Sequence, residues 1–304
     1  MLINGPLGYL CIVRREVTAI IRPVSPYPAL SIASEGEKAL VISDLHLGWE
    51  ATLSERGIHI PSQTNRLLKR LEQILTLEKP DQLIILGDVK HTVEKIEIEE
   101  WRDIPVFFER ILNKVKHIRV IPGNHDGNLE ALLPSKVEVT PQRGIVFGEA
   151  GLFHGHTWPD IKMLECEVLV VGHIHPVIVF KDPAGFHITS QVWIKAPCNR
   201  LLLIRAMLRH YNVRLRAGDE PERVLKENFM IEPRVKDLIV IPHFNDALGG
   251  RAINRVSTLK DEVFRDFIGP IFRSGGVMLD KTEVYLLDGT FIGTLNRLIA
   301  LKEH

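Results

Sequence analysis

Short apolar runs separated by amphipathic segments set the frame of this chain. Ala39–Ser43 (ALVIS), Gln82–Leu86 (QLIIL) and His117–Ile121 (HIRVI) each read as a buried strand. Between them, Gln63–Leu77 carries Leu67, Leu68, Leu71, Ile74 and Leu75 at helical spacing, with Pro61 and Ser62 as a start signal and Ser62 as N-cap. Trp101–Asn113 reads as a second helix with Val106, Phe107, Ile111 and Leu112 facing inward. Further strand patterns follow at Gly151–Phe153, Glu167–Val171 (EVLVV), Val177–Phe180, Leu201–Ile204, Leu238–Ile241 and Glu283–Leu287. Strands alternate with helices early and dominate later, which predicts a layered α/β or α+β fold. No Pro/Gly/Ser-rich linker divides the chain, and the turn-rich Gly218–Pro221 is the best candidate boundary.

Composition narrows the class without naming a function. At 304 residues the chain can bury a large core, as one domain or two. Lys and Arg balance Asp and Glu at 38 each, which argues against a polyanion-coated surface but leaves room for a local basic groove. Cys11, Cys166 and Cys198 form no CxxC pair, so neither a disulfide framework nor a thiolate zinc site is indicated, and a reducing cytoplasm fits best. The opening MLINGPLGYLCIVRREV lacks the pattern of a signal peptide, and no apolar run approaches the length of a membrane helix.

The candidate chemistry sits at the ends of the strand patterns. The order is ALVIS-DLH, QLIIL-GDVKH, HIRVIP-GNHD, GLF-HGH and EVLVV-GHIH. In open α/β sheets, sites form beyond the carboxyl ends of strands, so these clusters should converge. They supply Asp44, His46, Asp88, Asn124, His125, His154, His156, His173 and His175. Carboxylate, amide oxygen and imidazole together suit Mn, Fe, Co, Ni or Zn, whereas an all-oxygen set would suit Mg or Ca. In a strand, residues two apart share a face, so D-x-H and H-x-H can each aim two side chains at one site. Taken singly, Asp44 is more often a turn residue or helix cap, His156 or His173 a hydrogen-bonded histidine, and Asn124 a turn former. Five such clusters in this order, each after an apolar run, are not coincidental turns.

DLH, GD, GNHD, HGH and GHIH in this order resemble the motifs of the calcineurin-like metallophosphoesterases. More narrowly, DLHLGWEATLSERGIHIP, LGDVKH, VVGHIHP, IPHFNDALGGRAIN and EVYLLDGTFIGTL are similar to the archaeal SbcD-related phosphoesterases, a group akin to the bacterial ligase-associated endonuclease PdeM. The resemblance implies a four-layer αββα sandwich, two mixed sheets flanked by helices, as a single domain over 1–304. Its motif-bearing core spans about 38–200, and the part from about 218 to 304 is integrated or covers the cleft. It also implies two divalent metal ions, manganese foremost. Asp44, His46 and His175 would hold one, Asn124, His154 and His173 the other, and Asp88 would bridge them. His125 would protonate the leaving oxygen or stabilise developing charge. Two such cations can clamp a phosphoryl group and activate a water between them.

Three residues stay open. His156 lies behind the ligands or faces substrate. Asp126 orients His125 or caps the next helix. His91 completes a GDxxH pattern that in SbcD-type nucleases assists nucleic-acid cleavage, or is an exposed loop histidine.

The substrate is the least legible feature. Between Ile194 and Gly218 no acidic residue occurs, while Lys195, Arg200, Arg205, Arg209, Arg214 and Arg216 do, so the stretch lines a phosphate-binding groove or is a solvated face paired elsewhere. Nuclease action on DNA is the leading expectation. The alternatives are a small-molecule phosphatase or cyclic-nucleotide phosphodiesterase, and a non-catalytic binding scaffold. A homodimer and a DNA-repair partner protein are expectations by analogy alone. His243 and Asn245 read as loop residues within reach of the site.

Overall fold

The structure, a computed structural model, describes residues 19–54, 56–182, 184–255 and 269–300. Cys11 and the opening stretch weighed as a targeting signal lie outside them. One sheet runs β1 (Ile20–Pro23), β2 (Leu30–Ser34), β3 (Glu37–Ile42), β4 (Gln82–Leu86), β5 (His117–Ile121) and β6 (Val137–Val139), in that order. Strands β3 to β6 are parallel, and the antiparallel pair β1–β2 extends the edge.

The second sheet contains β7 (Ile145–Phe147), β8 (Ala150–Leu152), β9 (Val168–Val171), β10 (Pro176–Lys181), β11 (His187–Pro197), β12 (Asp237–Val240) and β13 (Arg251–Ala252). Its order is β13-β10-β11-β12-β9-β8-β7, with β14 (Glu283–Leu286) and β15 (Phe291–Thr294) branching from β11. Strand β12 therefore lies between β9 and β11, parallel to the first and antiparallel to the second.

Burial on both sheet faces explains why the strand sequences are continuously apolar rather than alternating. On β3 and β4, Leu40, Ile42, Leu83 and Ile85 face α2 (Thr64–Glu78) and α3 (Ile98–Leu112), while Ala39, Val41, Ile84 and Leu86 face the second sheet. On β9 and β12, Val168, Val170 and Ile239 meet the first sheet. Leu169, Val171, Leu238 and Val240 pack on α4 (Arg200–His210) and α5 (Pro221–Phe229). The result is helices, sheet, sheet, helices, the layering the motifs implied. Among the described residues no helix is long and apolar enough to cross a membrane.

Several local expectations need correction. Leu201–Ile204 is helical rather than a strand. Over the longer window Leu203, Ile204, Met207 and Leu208 form one buried stripe, a period that four residues cannot reveal. In α3, Phe107 and Ile111 are buried as expected, but Val106 is 49% exposed because its neighbours Ile104 and Phe108 take the inner face. Ser62 does not cap α2. Its hydroxyl accepts from Thr64 N at 3.2 Å and binds Asp103, and the N-cap position falls to Gln63. The turn at Gly218 leads into α5, whose Val224 and Leu225 join the cluster that holds α4. Strands β1, β2 and β11 carry no pattern singled out in the sequence.

Candidate metal centre

The five clusters meet at the carboxyl edges of the two sheets. The DLH turn follows β3, the GD turn follows β4, GNHD follows β5, HGH follows β8 and GHIH follows β9. The side chains of D-x-H and H-x-H do not converge through strand pleating, as their spacing suggested. Both motifs lie past their strands, and Asp44, His46, His173 and His175 all have left-handed backbone, with φ of 58°, 43°, 68° and 50°. Asp88 has φ of 49° as well. Asp and His tolerate this region better than most residues, and such strain persists only where surrounding structure enforces it.

Much of that enforcement is backbone approach and buried hydrogen bonding. A Cβ on Gly87 would lie 2.6 Å from Gly123 N and 2.6 Å from His154 Nδ1, so the GD and GNHD turns pass each other as bare backbone. Asp126 is buried, and its carboxylate accepts from Val89 N at 2.8 Å, Lys90 N at 3.2 Å and Gly123 N at 2.8 Å. Burial, then the nearby Asp88, pushes this carboxyl up to about 6. It ties the two turns together, and the hydrogen bonds found for it are all to backbone N–H groups.

Asp88 stands at the middle. Its Oδ2 lies 3.5 Å from His46 Nε2, 3.4 Å from His154 Nε2 and 3.9 Å from His125 Nε2, and its Oδ1 accepts from His125 N at 2.9 Å. On one side, Asp44 Oδ1 lies 3.2 Å from His175 Nε2, which is 3.4 Å from His46 Nε2. On the other, His154 Nε2 lies 3.3 Å from Asn124 Oδ1 and 3.2 Å from His173 Nδ1. Two groups of side chains can each hold a metal ion: Asp44, His46, Asp88 and His175, and Asp88, His154 and His173. A third grouping joins His46 to His91 and His125.

The donor set fits cations. His154 Nδ1 donates to Leu86 O at 2.7 Å, which aims Nε2 into the site, the orientation usual for a ligating histidine. Burial lowers the pKa of His46, and burial with His154 lowers that of His173 to about 4, so both keep free lone pairs at neutral pH. Burial alone would raise the Asp44 and Asp88 carboxyls. His175 and His154 outweigh it at Asp44, and His154 and His46 at Asp88, holding both well below the usual carboxylate range. Burial opposes charge on His154 too, yet Asp88 and Asp44 raise it to about 9. The two carboxylates that raise it would favour a cation at its Nε2 in place of that proton.

His125 and His91 sit at the mouth. The His125 side chain is 24% exposed, its Nδ1 meets His91 O in a short hydrogen bond, and the two rings stack at 5.8 Å. His91 Nδ1 lies 3.3 Å from His46 Nδ1, so His91 belongs to the site's edge rather than to an open loop. His156 lies behind His154 and His173, at ring distances of 5.2 and 6.1 Å, with a buried Nδ1 that has no protein partner.

Sequence reasoning did not single out Glu100 or Lys90 as supports, and it read His243 and Asn245 as loop residues within reach of the site. Glu100 in the first turn of α3 is fully buried, accepts from His91 N at 2.9 Å and Thr92 N at 2.8 Å, and also closes the capping box with Glu97. The E-x-x-E at the helix start was the available signal. Lys90 is buried, with Nζ on the carbonyls of Thr92 and Val93. His243 stacks 5.0 Å from His175, and Asn245 donates to Leu45 O at 3.0 Å, so the IPHFN segment backs the DLH turn.

The calcineurin-like phosphoesterase family model matches residues 38–188, which hold all five clusters. The chain carries a calcineurin-like phosphoesterase domain. This phosphoesterase shares its fold with the nuclease MPE of Pseudomonas putida, at 18% identity over 92% of this chain and 97% of that one, with a TM-score of 0.50. Yfce, a phosphoesterase from E. coli, is 20% identical over 47% of this chain and 73% of its own, with a TM-score of 0.30. No curated protein matches the phosphoesterase by sequence.

Proposed function

We propose that this phosphoesterase is a two-metal phosphodiesterase that cleaves nucleic acid, DNA foremost, with manganese as its metal. The observation that carries the reading is the pair of ligand groups that share Asp88, with His125 and His91 beside them at the mouth. Asp44, His46 and His175 would hold one ion and Asn124, His154 and His173 the other, with Asp88 common to both groups. Mixed imidazole and carboxylate donors favour manganese, iron, cobalt, nickel or zinc over calcium or magnesium. Two such ions supply a more acidic water and neutralise charge on the phosphoryl oxygens.

The chain's own residues do the rest. His125 gives its Nδ1–H to His91 O, so as an imidazolium it has Nε2–H left to hydrogen-bond or protonate the leaving oxygen, ending as the neutral ring. His91 stacks on that ring and fixes its orientation, and Glu100 holds the His91 backbone in turn. The left-handed turns preset the ligand geometry, so little ordering remains to be done when substrate arrives.

The test is a cleavage assay on the purified protein. Single-stranded and duplex DNA are compared with bis-p-nitrophenyl phosphate and p-nitrophenyl phosphate, under manganese, magnesium or EDTA. Manganese-dependent cutting of DNA and the diester, with little monoester turnover, is expected. Turnover of small esters with DNA untouched would replace the nuclease reading by a small-molecule enzyme, and silence on all four with metal bound would leave a binding scaffold.

A further inference from the structure

Most of the arginines that pair with a carboxylate sit on ordinary surface faces. Arg22, Arg66, Arg102, Arg110, Arg119, Arg200, Arg223 and Arg234 each lie beside a carboxylate. Within the acid-free stretch, Arg200 pairs with Glu222, and Lys195 lies 3.8 Å from Asp237, so part of that stretch is an ordinary solvated face. Arg205, Arg209 and Arg273 are different. They are exposed, no ion pair among the described residues satisfies them, and all three line one cavity of about 680 Å³.

That cavity lies between the His156–Trp158 loop and α4, with Gly269 and Pro270 completing its wall. Arg205 and Arg209 are four residues apart on α4, so they project from one helix face and repel each other with no ion-paired carboxylate among the described residues. They also line a second cavity of about 620 Å³ that continues to Arg214. Trp158, stacked on His210 at 5.3 Å, forms part of the first cavity's wall. The wall nearest the metal centre is His156, whose ring touches those of His154 and His173 and whose buried Nδ1 has no protein partner. A cation-lined strip thus starts beside the ligands of one metal and runs outward along α4.

We infer that this arginine-lined cavity binds further phosphates of the nucleic-acid strand being cleaved, so that α4 tracks the backbone leading away from the scissile bond. The inference rests on the phosphodiesterase reading, and it adds a direction to it: the strand leaves past His156, on the second sheet's side. Planar guanidinium groups with free donors match phosphate oxygens bidentately, and a run of them follows a backbone without reading its sequence.

The experiment is fluorescence-anisotropy binding of a short single-stranded oligonucleotide in EDTA, titrated across salt concentrations, with the full chain. The triple variant Arg205→Ala, Arg209→Ala, Arg273→Ala is expected to bind roughly tenfold or more weakly. Its log Kd against log salt slope should be shallower by about 2, at about 0.7 for each phosphate contact on a single strand. Arg119→Ala, a paired arginine on the other sheet, is the control and should bind as wild type. Unchanged affinity and slope in the triple variant, with wild-type circular dichroism, overturns the inference. Hydrolysis of bis-p-nitrophenyl phosphate by the wild type reads the catalytic proposal separately. Hydrolysis with unchanged triple-variant binding removes only the arginine site. A shallower slope in a protein that turns over no diester keeps the site and removes the catalytic reading.

Discussion

Asp88 touches three histidines, and both ligand groups depend on it. Asp88→Asn removes the shared negative charge while keeping the shape. Metal-supplied charge stabilisation is worth several kcal/mol, so hydrolysis of bis-p-nitrophenyl phosphate should fall about a thousandfold or more. The bound metal counted by elemental analysis should fall with it, and full metal content with full activity would refute the assignment. His91→Ala should slow DNA cleavage more than small-diester cleavage, because a small diester needs less positioning by the His125–His91 pair. Equal losses on both substrates would remove His91 as a nuclease-specific residue. The residue types of the site were legible in the sequence, because carboxylate and imidazole after each apolar run mark chemistry. The way they converge was not. Spacing by two suggested pleated strands, whereas the chain uses alternating left-handed residues, and sequence carries little record of backbone conformation outside glycine.

Elements are held in place by pairs that no local pattern announces. Glu78 at the end of α2 accepts Arg22 Nη2 from β1 at 2.7 Å and lies 2.6 Å from Lys38 Nζ on β3, joining the helix to the sheet edge. Burial would raise its pKa, but the bonds from Lys38 and Arg22 win and lower it. A carboxyl with a depressed folded-state pKa contributes stability above its unfolded value and loses it as pH falls through the folded value. Glu78→Gln should therefore lower Tm at neutral pH, by the equivalent of about 1 kcal/mol given the solvent around both cations. The gap should close below the ordinary value of 4.5, as read by thermal melts across pH. A gap that persists at low pH would assign the effect to packing. Helices α2 and α3 were legible from their apolar spacing. Helix α4 was not, because its apolar residues begin with four in a near-continuous run that imitates a strand.

At the scale of the molecule, the two sheets share the site. Asp44, His46, Asp88, Asn124 and His125 follow strands of the first, and His154, His173 and His175 follow strands of the second. The second sheet is not closed by the motif-bearing part of the chain. Strand β12, from the last third, fills the place between β9 and β11, and the segment after it backs the DLH turn. A truncation after Gly218 should thus lose its near-UV circular dichroism and its metal, although every proposed ligand remains. A folded, metal-binding fragment would show that the last third is dispensable. This part of the chain carried no legible chemistry, because what it supplies is backbone pairing and buried contacts rather than reactive groups.

The interior position of β12 also orders events in time. Translation releases residues 44 to 175 well before residue 240, so the future ligands leave the ribosome while one of their two supporting walls still lacks a central strand. A site built on both sheets can therefore be completed only after β12 has been made. For a protein proposed to cut DNA, that delay works as a built-in safety catch.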